Sequence, residues 1–448
     1  MKNEIILQPL RKNQCQIQEA VNDLGNNGGG RIVLLPGTYL SNPLCLIDNL
    51  ELCLKKGAIL LFNPDPDVYE AVFTRWEGTE LYALQPMLFA EDCHNISLTG
   101  KGIIDGQGKY WWELYRRIRK GESPREIEAC RNNLAAKNAA LKTGSGGGGG
   151  METDFLRPPL VQFKNCQNIL IKDITFRNSA FWNTHILYSS DVQIQGANFI
   201  NPPDSPNTDG LDIDSSNNIK ISGCFFDVGD DCVCLKSGMD EDGRRIGIPA
   251  ENIEISNCQM KNGHGGVVFG SESAGGIKNI SIKNCQMTGT DRGIRLKTRR
   301  GRGGVIENIV IDNISMDKVL CVIIANMFYR CGLSEEEQKT MGSIETLPVS
   351  EATPAIRNIT IKNLTADNVL GGAGYFCGLP ERPIEGIRLQ NINITLRDTD
   401  ELYEPAMDMF HTKTNSKSFI CKLVSGIKYE NILIRDYTGR KIQPIENF

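Results

Sequence analysis

The chain has 448 residues, of which 40% are hydrophobic and 23% are charged, a composition typical of a folded globular protein and unlike that of a disordered one. Its formal net charge is -5 at pH 7, which argues against a nucleic acid as main partner, because such a partner needs an extended basic surface. The longest apolar runs, such as residues 32–35 and 58–62, are far shorter than the roughly 20 residues that cross a bilayer. We therefore expect neither a nucleic-acid partner nor a membrane partner.

The first residues contain no basic stretch followed by a long apolar segment and a small-residue cleavage site, so no signal peptide is predicted. We expect a cytoplasmic location, or a periplasmic or secreted one if a signal has been removed. The 15 cysteines are an odd number, which favours reduced thiols over a disulfide framework. Residues 16–24 have a helical pattern, and we predict a short helix there that caps the open end of the fold described next.

A short phrase, Asn-Ile-x-Ile or a close variant, recurs along the chain. Most neighbouring copies lie about 23 to 34 residues apart, which is a spacing typical of solenoid repeats. The residues one and three positions after each first residue are β-branched, and this period of two predicts a half-buried strand. The copies begin at Asn95, Asn168, Asp191, Asn218, Asn252, Asn279, Asn308 and Asn358.

Each repeat is too short to bury its own apolar face and contains no amphipathic helix. Several short strands per repeat, stacked on the next repeat, predict an all-β fold: a right-handed parallel β-helix in a single domain over residues 1–448. Cys224, Cys258 and Cys285 occupy the same repeat position, so we interpret them as core residues rather than metal ligands. The repeat asparagines, several of which resemble glycosylation sites, are interpreted as stacked turn residues.

Three segments lie outside the repeat and are predicted as insertions, at approximately 106–157, 331–352 and 399–420. The first contains Trp111 and Trp112, has a helical pattern with many charges, and ends in the glycine-rich residues 144–150. Such a low-complexity stretch is typical of a flexible linker.

Polar residues recur at equivalent positions around a second predicted strand in four successive repeats. Coils of a β-helix stack about 4.8 Å apart, so these residues would span only about 15 Å on one face. We therefore predict a cleft in which carboxylates lie beside cations, and neighbouring carboxylates can divide the roles of acid and base. The residues are Asp209, Asp212, Asp230, Asp231, Lys236, His264, Arg295 and Lys297.

Four motifs within this set together resemble the signature of glycoside hydrolase family 28, the polygalacturonases. The resemblance covers roughly residues 10 to 440 and implies a pectin-lyase-like β-helix that hydrolyses α-galacturonosidic bonds with inversion, without a metal or cofactor. The partner it implies is an oligosaccharide or polysaccharide that contains galacturonic acid. The motifs are Asn207-Thr208-Asp209-Gly210, Gly229-Asp230-Asp231, Gly263-His264-Gly265 and Arg295-Leu296-Lys297.

The resemblance also implies a role for each residue. Asp230 is expected to be the general acid, Asp209 and Asp231 to hold and deprotonate the attacking water, and His264 to hydrogen-bond near the acid. Gly229 permits the bend that lets two adjacent aspartates share one cleft. The residues expected to bind substrate, with the last two holding its carboxylate, are Asn207, Asp212, Lys236, Arg295 and Lys297.

Several alternatives remain open at this point. A pectate lyase, which would use Ca²⁺, and a non-catalytic carbohydrate-binding β-helix are the rivals from other classes. Within the family, the insertions favour an exo-acting galacturonosidase, because insertions can wall off one end of the groove. An endo-polygalacturonase and a rhamnogalacturonan galacturonohydrolase are the alternatives.

Overall fold

A computed structural model describes residues 3–9, 16–141 and 155–447. These residues form two compact units, Met1–Trp76 with Glu80–Asp230, and Glu77–Thr79 with Asp231–Phe448. The chain has the predicted right-handed parallel β-helix fold, whereas the single domain over residues 1–448 stays a prediction. Cys15 and the glycine-rich residues 144–150 lie outside the described residues.

In the first unit, strands of successive coils pair in parallel and form three rows. The first row is Glu4–Leu7, Gly30–Leu34, Leu50–Leu54, His94–Gly100, Gln167–Lys172, Ser190–Gln195 and Asn217–Ser222. The second row is Gly37–Ser41, Ala58–Phe62, Ile103–Asp105, Thr175–Arg177, Asn198–Ile200 and Phe225–Val228. The third row is Leu44–Cys45, Leu88–Glu91, Val161–Lys164, Thr184–Leu187 and Leu211–Asp214.

In the second unit, the strands equivalent to the first and second rows often run on as one long strand. They are Ala250–Ser256, Gln259–Asn262, Ile277–Thr288, Val305–Asp317, Ala355–Val369, Ile384–Leu396, Val424–Ser425, Lys428–Arg435 and the antiparallel Lys441–Ile442. The third row is Asp231–Lys236, Gly265–Phe269, Arg292–Lys297, Cys321–Asn326, Gly372–Cys377, Phe419–Lys422 and Ile445–Asn447.

The repeat positions stack as predicted within each unit. Ile169 pairs with Val192, and Val192 with Ile219, and all three side chains are buried. In the same unit Phe199 stacks on its neighbours in adjacent coils, with ring centroids 5.3 and 4.7 Å apart. Burying such a side chain contributes about 1.5–3 kcal/mol, so the inner columns stabilise the stacked coils of each unit.

The repeat asparagines stack as turn residues, as predicted. Asn252, Asn279, Asn308 and Asn358 all have a left-handed backbone, with φ from 56° to 60°, a conformation that asparagine tolerates better than most residues. Their side-chain amides donate from one coil to the next over 3.2–3.3 Å. This ladder of hydrogen bonds links the turns of successive coils.

The cysteines are mostly core residues. Cys224 follows Ile174 and Ala197 in one inner column of the first unit. Cys258 and Cys285 lie at the start of an inner column in the second unit, and all three cysteines are buried. Free thiols are carried by Cys45, Cys53, Cys93, Cys166, Cys285, Cys321, Cys331, Cys377 and Cys421. These nine are a majority of the 15 cysteines of the chain, which agrees with the prediction that most are unpaired.

Five α-helices lie among the described residues. The first, α1 (Gln16–Gly25), is the predicted terminal helix, and its apolar face is buried; Leu24 packs against Gly30 of the next strand. Two more, α2 (Gly108–Arg119) and α3 (Glu128–Lys137), lie in the first insertion, followed by α4 (Asp240–Ile246) and α5 (Glu335–Met341). Single 3₁₀ turns occur at Pro66–Val68 and Arg125–Ile127. None of the helices in the described segments is long and apolar enough to span a bilayer.

One element was not predicted. Ala71–Trp76 and Thr79–Leu84 form a separate two-stranded sheet. They are joined by Glu77 and Gly78, whose φ angles of 43° and 85° suit the tight turn of a β-hairpin. We refer to this element as hairpin 71–84.

Candidate active site

Three of the predicted aspartates lie in the first unit, two of them at the end of the third row and Asp230 after the last strand of the second row. Asp209 precedes the strand Leu211–Asp214, on which Asp212 faces outward while Leu211 and Ile213 face the core. A carboxylate oxygen of Asp209 lies within 4.8 Å of one of Asp212, and one also lies within 4.8 Å of an oxygen of Asp230. The first unit therefore brings Asp209 and Asp230 together, as the repeat alignment predicts.

The loop that leads to Asp209 is fixed by a buried arginine. Arg157 donates to the side-chain oxygen of Asn207 over 2.7 Å and to the carbonyl oxygens of Ala180 and Pro206. Asn207 has a φ of 55°, which places it at a turn. Its predicted role in substrate binding stays a prediction, and the structure adds that its side-chain oxygen is held by Arg157.

In the second unit, Asp231 is the centre of a buried ion cluster. Lys297 Nζ donates to Asp231 Oδ2 over 2.8 Å, and Arg295 Nη1 lies 3.6 Å from Oδ1. Burial alone would raise the pKa of Asp231, but the charges of Lys297 and Arg295 outweigh it and hold the pKa well below its usual range. Asp231 is therefore ionised at a lower pH than an ordinary aspartate.

A glycine makes room for this carboxylate. Gly265 pairs with Asp231 in the next coil, and a Cβ on Gly265 would lie 3.2 Å from Asp231 Oδ1. Asp231 begins its strand directly after a bend at Gly229 and Asp230; its carboxylate contacts the cations, and Val233 of the same strand is buried. This bend was predicted from the need for adjacent aspartates to serve one cleft.

The two cations lie beside an aromatic ring that the sequence did not indicate. The ring of Tyr329 lies 5.8 Å from the Arg295 guanidinium and 5.5 Å from Lys297 Nζ, measured to the ring centroid. Burial would lower the pKa of Lys297, but the charge of Asp231 dominates and raises it. Lys297 is thus fixed as an ammonium, and its charge is directed at Asp231 as well as at any bound substrate.

Lys236 lies in a second buried pair. Its Nζ is 3.6 Å from Glu272 Oε1, and both side chains are buried. Burial would raise the pKa of Glu272, but Lys236, Arg302 and Lys297 lower it overall. Glu272 is a second residue that sequence reasoning missed, because it lies in the loop after the strand Gly265–Phe269, where no repeat position marks it.

His264 is exposed and lies directly before the strand Gly265–Phe269. It is close enough to Asp231 that its protonated form helps to lower the pKa of that carboxyl. The second unit therefore groups Asp231 with His264, Arg295 and Lys297, as expected.

Three comparisons with known proteins agree on one family. The model of the family "Glycosyl hydrolases family 28" matches residues 152–404. A "Probable polygalacturonase" of Vitis vinifera is 28% identical over 395 residues, which are 86% of this chain and 71% of that protein. An "Exo-poly-alpha-D-galacturonosidase" of Dickeya chrysanthemi is 27% identical, over 80% of this chain and 60% of its own length.

A solved structure is similar over almost the whole chain. The crystal structure of a hyperthermoactive exopolygalacturonase from Thermotoga maritima matches with a TM-score of 0.76 and 28% identity, over 99% of this chain and 93% of that one.

Proposed function

Because this chain belongs to glycosyl hydrolases family 28, we propose that it hydrolyses the α-galacturonosidic bonds of pectin-derived chains with inversion, and that it acts from a chain end. The proposed substrate is an oligosaccharide or polysaccharide that contains galacturonic acid. Exo action is supported by the names of two similar proteins, an exo-poly-α-D-galacturonosidase and an exopolygalacturonase.

The observation that carries the proposal is the ion cluster at Asp231. An inverting hydrolase needs one carboxylic acid to protonate the leaving oxygen and one carboxylate to deprotonate the attacking water. With Lys297 and Arg295 on its two oxygens, Asp231 is ionised and is a poor proton donor, so of these two roles only that of the carboxylate is open to it.

The acid role then falls to Asp230. It is bonded through the chain to Asp231, and its oxygen lies within 4.8 Å of Asp209. In our account Asp209 and Asp231 hold the attacking water, Asp230 gives its proton to the glycosidic oxygen, and His264 orients the acid. The proton that leaves the water goes to the base, and the site returns to its starting state when the base releases that proton to solvent and Asp230 takes one up.

Recognition of the substrate's carboxylate falls first to Arg295. The guanidinium has five N–H donors in a planar fork and suits a carboxylate. Lys297 contributes charge but already donates to Asp231. Lys236, paired with Glu272, and Asn207 and Asp212 are proposed to contact the sugar hydroxyls.

The test is the release of reducing ends from polygalacturonate in excess chelator. We expect activity without the ultraviolet-absorbing unsaturated product of a lyase. Asp230→Asn should lower kcat by about 10²–10⁴-fold, as for loss of a general acid, whereas the exposed Asp173→Asn should leave it unchanged. An Asp230→Asn enzyme as active as the parent would contradict the proposal.

A further inference from the structure

We propose that hairpin 71–84 closes one end of the substrate groove in the first unit, and that Arg75 is the positioning residue that fixes it there. The proposal deepens the proposed function and rests on it. It names the element that restricts the enzyme to chain ends. From the sequence, we expected that element to lie in one of the insertions at 106–157, 331–352 or 399–420.

We take the substrate groove to follow the outward side chains of the third row. Gln162 pairs with His185, and His185 with Asp212, on three successive coils, so these residues form a line that leads away from the catalytic Asp209. A chain of sugars lying over Asp212 and continuing along the row would have to cross His185 and then Gln162.

Hairpin 71–84 occupies that path. Thr74 Oγ1 donates to Gln162 Oε1 over 2.9 Å, and Gln162 Nε2 lies 2.8 Å from His185 Nδ1. Gln162 and His185 have no exposed surface, and Thr74 is 2% exposed. Because the hairpin covers two successive coils of the row, a polymer cannot continue beyond Asp212 in this direction.

Arg75 anchors the hairpin on the coil of Asp209 itself. Its Nη1 donates to Asp214 Oδ1 and to Ser215 Oγ, each over 2.7 Å, and its guanidinium lies 4.7 Å from the centroid of the Tyr188 ring. His185 Nε2 is 3.4 Å from the other oxygen of Asp214. Burying a charged guanidinium costs free energy unless its partners compensate the charge. Arg75 therefore holds the hairpin in the one position that keeps its contacts with Asp214 and Ser215.

Residues outside the third row also hold the hairpin. The Asn138 side chain, just after α3, accepts from the Tyr82 backbone N–H and donates to the Tyr82 carbonyl oxygen. Trp76 stacks on Phe181 with 4.6 Å between ring centroids and donates to the Arg157 carbonyl oxygen. The first insertion therefore affects the groove indirectly, because its residues hold hairpin 71–84 in place.

The positions of the two ends of hairpin 71–84 allow this element to be removed. The backbone N–H of Gln85 donates to the carbonyl oxygen of Glu70 over 2.8 Å, so the two ends of the hairpin already lie side by side. Residues 71–84 can thus be replaced by Gly-Gly. A milder variant, Arg75→Ala with Asp214→Ala, removes both charges so that neither is left buried alone, and Arg388→Ala on an exposed strand position is the matched control.

The measurement is the product pattern on polygalacturonate, read as viscosity lost per reducing end formed and as early oligomer sizes. For the parent and Arg388→Ala we expect terminal products only and a slow fall in viscosity. For the two hairpin variants we expect intermediate oligomers from the first minutes and at least a several-fold larger viscosity loss per bond cleaved. A folded, active excision variant that still releases only terminal products would overturn the proposal.

A second measurement needs no variant and covers the case in which the altered proteins do not fold. Oligogalacturonides carrying a bulky group at both chain ends should resist the parent enzyme, because no free end can enter the closed groove. Cleavage of these capped chains would overturn the proposal that hairpin 71–84 closes the groove. A parent enzyme that cleaves neither capped nor uncapped galacturonides would instead overturn the proposed function.

Discussion

At the scale of single residues, the site depends on which charges neutralise one another. Asp231 and Lys297 are 66 residues apart in the chain and 2.8 Å apart in space. The repeat alignment placed both on one face of the fold, but periodicity alone does not state which cation meets which carboxylate. That choice depends on side-chain reach and on the bend before Asp231, neither of which a repeat pattern contains.

The pairing predicts how the pH profile responds to Lys297→Met. Removing the ammonium raises the pKa of Asp231, because the largest opposing charge is lost while burial remains. The base must be ionised to act, so the acidic limb of the kcat/KM profile should move to higher pH. The conservative variant Lys297→Arg should restore most of the parent profile, and an unmoved acidic limb in Lys297→Met would show that Lys297 does not act through Asp231.

Arg295 and Lys297 should differ in how they discriminate substrates. A charge-assisted contact contributes about 1.5–3 kcal/mol, which corresponds to roughly 10- to 150-fold in kcat/KM. We expect Arg295→Ala to show this loss on galacturonides and little loss on a substrate whose carboxyl at that subsite is esterified. Lys297→Ala should lose activity on both substrates, since it also removes the partner of Asp231. Equal behaviour of the two variants would contradict this division of roles.

At the scale of elements, the coils were predictable and the hairpin was not. The strands were found because β-branched residues recur with a period of two in many copies, and stacking makes those copies alike. Hairpin 71–84 occurs once, so no repeat marks it, although the Glu77-Gly78 pair between two strand-like segments was an available turn signal. The loop that carries Tyr329 was likewise recognised only as a departure from the repeat.

The asparagine ladder gives a stability prediction for the turns. Asn308 has a φ of 57° and hydrogen bonds to the asparagines of both adjacent coils. Asn308→Ala should lower the free energy of unfolding by about 1–2 kcal/mol, from left-handed strain and lost hydrogen bonds. Asn308→Gly should cost less, because glycine adopts this backbone without strain. Urea unfolding of the two variants checks the order, and equal losses would show that strain is unimportant.

Hairpin 71–84 should loosen in acid. Burial would raise the pKa of Asp214, but Arg75 and His185 lower it to about 2 from the usual 3.8. A carboxyl with a depressed pKa stabilises the folded state above its unfolded value and loses that contribution as the pH falls toward about 2. Pepsin, which cleaves at low pH, should therefore cut within 71–84 much faster at pH 2 than at pH 4. If Arg75→Ala with Asp214→Ala shows the same pH dependence as the parent, the acid effect has another source.

At the scale of the whole molecule, the thiols test the compartment that we propose. Nine free thiols, most of them buried, are compatible with a reducing cytoplasm. We expect the midpoint of thermal unfolding to be unchanged by a reductant, and the exposed Cys45 and the partly exposed Cys93 and Cys331 to react with a thiol reagent before the buried thiols of the native protein. A large fall in the midpoint on reduction would reveal disulfides and contradict both the thiol state and the proposed location.

The stereochemistry of the first product tests the central claim most directly. The nearest oxygens of Asp209 and Asp230 lie within 4.8 Å, which is a distance between single atoms, whereas the roughly 6.5–9.5 Å that is usual for inverting enzymes is the separation of whole carboxyl groups. Proton NMR during the first minutes of hydrolysis of a galacturonide distinguishes the two anomers before they equilibrate. We predict that the β-anomer appears first with the parent enzyme and that no signal develops with Asp230→Asn. Initial release of the α-anomer, or of an unsaturated uronate, would contradict the assignment of acid and base.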